Sequence, residues 1–209
     1  MRHLTLTEGR EHNEMIMDGL REIGTIGAAH ASTALSELVH KDIMIEVSDC
    51  FVCSTQELPT AFSTTEETVV AVFLEALGKS RGGIMLVVSE QMAIELTDLI
   101  LGREHDESHC LDEMDQDAIC EIGNICASAY LNAVSRFTDI TMMPSPPGVA
   151  VDMLRAILQF PAALVEADSD SSVVIKTMFK YGTNTGFGFM LYIPDRESQL
   201  VLIEKFGSM

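Results

Sequence analysis

Asp18-Gly19-Leu20-Arg21-Glu22-Ile23-Gly24-Thr25-Ile26-Gly27-Ala28 reads almost as Asp117-Ala118-Ile119-Cys120-Glu121-Ile122-Gly123-Asn124-Ile125-Cys126-Ala127 does, 99 positions further on (18 to 117). The match extends to Ala34 on Ala133 and Ser36 on Ser135. Downstream, Gly83-Ile84-Met85-Leu86 resembles Gly188-Phe189-Met190-Leu191. A unit of about a hundred residues occurring twice is too long for a solenoid repeat and too few in copies. The expectation is an α/β fold forming a single domain with an internal pseudo-twofold repeat, the two halves sharing one sheet system.

Working outward from the repeat, each half reads as a long helix, mostly antiparallel strands and a short helix. In the first, apolar spacing predicts a helix over 11–39, strands near 43–47, 68–74 and 83–88, and a helix over 90–101. In the second it predicts a helix over 112–137, strands near 140–143, 172–178 and 188–193, and a helix over 196–206. The stretch 151–164 suits helix or strand, with Pro161 interrupting it. The domain is expected to span 1–209, with repeat 1 at about 8–103, repeat 2 at about 110–209 and the polar stretch 102–109 as connector.

Composition narrows the function classes. Hydrophobic residues make up 47% of the 209, ample for a core, and no run of eighteen apolar residues occurs, so no membrane span or signal peptide is expected. Thirteen basic against thirty-two acidic residues give a formal charge of −19, which repels phosphate backbones and anionic lipid. Neither nucleic acid nor membrane is an expected partner. Five cysteines, an odd number without framework spacing, fit a reducing, cytoplasmic setting. Cys50-Phe51-Val52-Cys53 forms one C-x-x-C, read as small residues in or beside a strand rather than a metal or redox pair. The six histidines (3, 12, 30, 40, 105 and 109) show no metal-ligand spacing, and no nucleophile elbow, Walker loop or dinucleotide fingerprint occurs. No bound metal or cofactor is expected.

The chemistry concentrates on the second long helix. Asp117, Glu121 and Asn124 are spaced four and then three apart, so they share one face, with Ala118, Ile119, Ile122 and Ile125 supplying the apolar side. A carboxylate and a carboxamide are thereby offered outward. Gly123 within this helix, like Gly24 in the first, costs about 0.5–1 kcal/mol relative to alanine, so something must approach the backbone closely. Tight packing is the favoured explanation, and room for a docked protein the alternative. Asp112, Glu113, Asp115 and Asp117 suit the positive end of the helix dipole. They do not make a calcium loop, because the required glycine is missing.

The pattern Asp117-x3-Glu121-x2-Asn124-x22-Pro147 resembles the signature of the CheC, CheX and FliY phosphatases, and the duplicated layout of the chain is similar to that of CheC. The resemblance implies a phosphatase acting on the aspartyl-phosphate of a chemotaxis response regulator of the CheY type. Asn124 would orient the attacking water, Glu121 would pair with the regulator's active-site lysine, and Pro147 would shape the neighbouring surface. Asp117 matches the residue that opens the motif. Mg²⁺ is expected in the partner regulator and not on this chain.

In the first repeat Asp18 and Glu22 persist, but Thr25 replaces the asparagine and Ser48 the proline, so this site is expected to be inactive. With both halves in one chain, a monomer is the simplest expectation. Two alternatives stay open: a non-catalytic binder of phosphorylated regulator resembling the middle domain of FliM, and an adaptor for CheD.

Overall fold

Ile16, Leu20, Ile23, Ala31 and Leu35 recur at helical spacing and are all buried, and Ile119, Ile122, Cys126, Tyr130 and Ala133 repeat the pattern. These stripes form α1 (Arg10–Val39) and α3 (Glu113–Thr138). The computed structural model describes residues 10–62, 66–78, 81–104, 109–164 and 171–207. After α1 come β1 (Ile43–Ser54), a 3-10 turn at Leu58–Thr60, β2 (Thr68–Gly78), β3 (Gly82–Ser89) and α2 (Glu90–Leu101). α3 is followed by β4 (Met142–Pro144), β5 (Gly148–Met153), α4 (Leu154–Leu164), β6 (Ser171–Tyr181), β7 (Asn184–Pro194) and α5 (Arg196–Gly207).

The seven strands make one sheet in the order β1-β6-β7-β3-β2-β4, with β5 also on the outer edge of β2, and every pairing is antiparallel. This order is its own mirror when β1, β2 and β3 are exchanged for β4–β5, β6 and β7. The halves are therefore interleaved: β1 of the first pairs with β6 of the second, and β5 of the second with β2 of the first. At the centre Met85 faces Leu191 and Leu86 faces Met190, which are the residues the sequence repeat equates, now exchanged across the axis.

The repeat of 99 positions survives in fine detail. α1 and α3 are each followed by a non-glycine residue in left-handed conformation, His40 (φ 54°) and Asp139 (φ 59°). Ser36 Oγ accepts the N–H of Ile43, and Ser135 Oγ that of Met142. These bonds fix where each long helix hands over to its edge strand, which explains why the serines recur.

Period-two alternation divides the core. Val70, Val72, Leu74, Ile84, Leu86, Ile175 and Met190 face α1, α2, α3 and α5. Val69, Ala71, Met85, Val87, Val174, Phe189 and Leu191 face α4 and the 3-10 turn.

Several sequence-based boundaries change. β1 runs on to Ser54, through a bulge at Ser48, whereas the expected strand stopped at Val47. As a sheet edge it carries exposed residues that blur the alternation. The ambiguous 151–164 splits into the end of β5 and then α4, with Pro161 inside the helix. The connector is described only at 102–104 and 109, and His3 and His105 lie outside the described residues.

Candidate active site on the second long helix

α3 starts from a capping box. Asp112 Oδ1 accepts the N–H of Asp115 and Asp115 Oδ2 accepts that of Asp112, at 3.0 and 2.9 Å. Asp115 is 0% exposed. Arg103, just beyond α2, donates to it at 2.8 Å, and His109 Nε2 lies 2.6 Å from its other oxygen. Burial pushes the Asp115 carboxyl up, but the Asp112 N–H, His109 and Arg103 together hold it below the ordinary carboxylate value. The start of α3 is thus tied to the end of α2.

His109, Asp112 and Asp115 bring potential ligand atoms within 4.8 Å of one another. The Arg103 guanidinium already occupies this ground, so the donor set is built as a charged cap and a cation would have to displace it. Asp115 was read from sequence only as a first-turn acid. The Asp112-x-x-Asp115 spacing was the available sign of the cap, but its burial depends on Arg103 across the connector.

One to three turns later the helix presents its polar face. Asp117 and Glu121 are exposed and Asn124 is half-buried. At positions i, i+4 and i+7 they span an arc of about 60°. Among the described residues neither Glu121 nor Asn124 has a hydrogen-bond or ion-pair partner.

Beneath them Gly123 lies on the sheet, where a Cβ would come within 2.6 Å of Val72 Cβ. A Cβ on its counterpart Gly24 would come within 3.1 Å of Ile175 of β6, and one on Gly27 within 2.8 Å of the Tyr130 ring of α3. Close packing against the sheet and between the long helices therefore accounts for these glycines.

Val72 pairs with Val149 of β5, two residues after Pro147, so the proline stands off the end of the edge strand beside the helix. Its loop is pinned at Ser145, whose N–H donates to Glu75 O and whose Oγ accepts the Glu75 N–H. Sequence reasoning missed this clamp.

The first half is built differently at the matching positions. Asp18 lies 4.0 Å from Arg21, and Glu22 is exposed. The Thr25 hydroxyl donates to Arg21 O at 2.9 Å, turned back onto its own helix. Ser48 occupies the β1 bulge and donates to Lys176 O. The structure thus brings Asp117, Glu121 and Asn124 together on one helix, with Pro147 on the adjoining edge, and holds Asp18, Glu22 and Thr25 on the other.

Residues 114–151, which include this helix face and Pro147, match the CheC-like family. Over this stretch the chain resembles that family. It is 29% identical over 163 residues to the CheY-P phosphatase CheC of Bacillus subtilis (strain 168), covering 77% of this chain and 78% of that one. Its fold is shared with FliY of Thermotoga maritima, at TM-score 0.74 and 22% identity over 97% of this chain and 98% of that one. The H. pylori FliM-SpeE complex aligns at TM-score 0.64 and 17% identity, covering 96% and 97%. A CheX from Desulfovibrio desulfuricans aligns at 0.55 and 16%, covering 83% and 99%.

Elsewhere, burial pushes the Cys50 thiol up to about 12 and the Cys53 thiol up to about 11, so thiolate chemistry at this C-x-x-C is disfavoured. Among the described residues no helix is long and apolar enough to cross a membrane.

Proposed function

We propose that this chain hydrolyses the aspartyl-phosphate of a CheY-type chemotaxis response regulator, using one competent site in its second half. The observation that carries the reading is the contrast between equivalent helix positions. Asn124 presents a carboxamide with no partner among the described residues, whereas the Thr25 hydroxyl is spent on the carbonyl of Arg21. The similarity to a CheY-P phosphatase, together with the CheC-like match over 114–151, supports the substrate class.

In this reading α3 enters the regulator's active-site cleft. The Asn124 oxygen accepts from a water and its nitrogen donates, which fixes the water in line with phosphorus without any proton change on the side chain. The gain is one of positioning. Glu121, one turn earlier on the same face, pairs with the regulator's active-site lysine and holds register. Asp117 helps to present this face, and Pro147 shapes the adjoining surface. The Mg²⁺ belongs to the regulator, and the chain works as a cytoplasmic monomer of one domain.

The test is phosphate release from the phosphorylated regulator with and without this protein, alongside binding of the same species by Glu121→Ala. The expected result is faster release by the parent and weaker binding by the variant, most clearly at low salt, where the lost pair is least screened. Unaltered release with retained binding would instead support the FliM-like binder, and binding of CheD alone would support the adaptor.

A further inference from the structure

His30 on α1 and Asn132, Ser135 and Arg136 on α3 line a groove of about 450 Å³ between the two long helices. The pseudo-twofold axis supplies an internal control. At the 99-position spacing, the same ground on the other side of the axis is held by Ala129, Thr33, Ser36 and Glu37. The serines play one role on both sides, each accepting the N–H of the strand that follows. The charges do not match: arginine stands where the counterpart has glutamate, and histidine where it has alanine. Asn132 stands where the counterpart has Thr33, whose hydroxyl donates to Ala29 O.

Among the described residues His30, Asn132 and Arg136 have no hydrogen-bond or ion-pair partner. All three are exposed; the side chains of Arg21, Arg103, Lys176, Lys180 and Lys205 each face a carboxylate, whereas that of Arg136, like those of Lys41, Arg81 and Arg155, faces none among the described residues. The groove instead collects donors: the planar guanidinium fork, an amide N–H₂, an imidazole N–H and the Ser135 hydroxyl, whose oxygen already accepts and whose hydrogen is free to donate.

We propose that this groove binds a small-molecule oxyanion, a carboxylate or a phosphate, held by Arg136 with Asn132, Ser135 and His30. Its volume falls in the range of small-ligand sites. Asn132 lies eight residues beyond Asn124, about 12 Å along the helix. The site is therefore separate from the Glu121 and Asn124 pair, and it stands or falls independently of the phosphatase reading.

The test uses the full chain with inorganic phosphate and citrate as probes, each titrated at constant ionic strength against chloride and followed by amide chemical shifts and calorimetry. Saturable shifts centred on His30, Asn132 and Arg136 are expected with at least one probe, and which probe acts separates phosphate from carboxylate. Arg136→Gln should weaken binding about tenfold or more, because a charge-assisted fork is lost. Glu37→Gln at the counterpart position should leave binding unchanged. Shifts that chloride reproduces, shifts scattered over the surface, or no saturable shift with either probe would overturn the proposal. So would equal binding by Arg136→Gln, including the case in which its melting temperature falls because Arg136 serves only the end of the helix dipole.

Discussion

Asp115 shows how one buried carboxylate governs where the candidate site begins. Its folded-state pKa is lowered, so the stability it contributes is fully present above the ordinary aspartate value and is lost as pH falls through the folded value. Asp115→Asn should cost about 2 kcal/mol at neutral pH, less than a fully buried pair because Arg103 and His109 keep some exposure. The variant should also show a flatter loss of melting temperature below about pH 4. Thermal melts of parent and variant across pH 2.5–7 check both. At Thr25 the account is equally specific. Thr25→Asn restores the amide, yet Ser48 still sits in a bulge where the second half has Pro147, so phosphate release should stay well short of double the parent rate. The motif residues were legible in the sequence because helix spacing alone puts Asp117, Glu121 and Asn124 on one face. The Thr25 hydroxyl bond and the Asp115 cluster were not, since each depends on where a side chain turns or on a residue across a connector.

At the scale of elements, α3 is held at its height over the sheet by Gly123 on Val72. Gly123→Ala gains up to about 1 kcal/mol of helix propensity but forces the new methyl into the valine, an overpacking cost of about 1–3 kcal/mol. The net expectation is destabilisation, relieved in Gly123→Ala combined with Val72→Ala. Denaturant unfolding of the two single variants and the double variant closes the cycle, and additive losses would show that the contact is not the reason for the glycine. The long helices and inner strands were readable because both faces of the inner strands are buried and the helix stripes are continuous. The edges were not. β1 beyond Val47 and β5 show solvent-facing residues on an open edge, so the apolar alternation that marks a strand fades there although the backbone pairing continues.

For the whole molecule, the interleaved sheet means that neither half is complete. Among the described residues β1 pairs only with β6, and β5 only with β2. Fragments 1–108 and 109–209 should each be poorly folded alone and should regain helical and sheet circular dichroism when mixed, with chemical-shift dispersion as the check. The duplication itself was legible, down to the spacing of 99; that the halves exchange their edge strands was not, because strand order depends on pairing across the molecule and leaves no local mark. The same duplication makes the central claim testable, since one half serves as control for the other. Phosphate release from saturating phosphorylated regulator should fall to the level of the regulator alone in Asn124→Ala, with unchanged circular dichroism, and should be unaffected in Thr25→Ala. Retention of about half the parent rate by Asn124→Ala, the additive result for two independent sites, or of the full rate, would contradict a single working site built on Asn124.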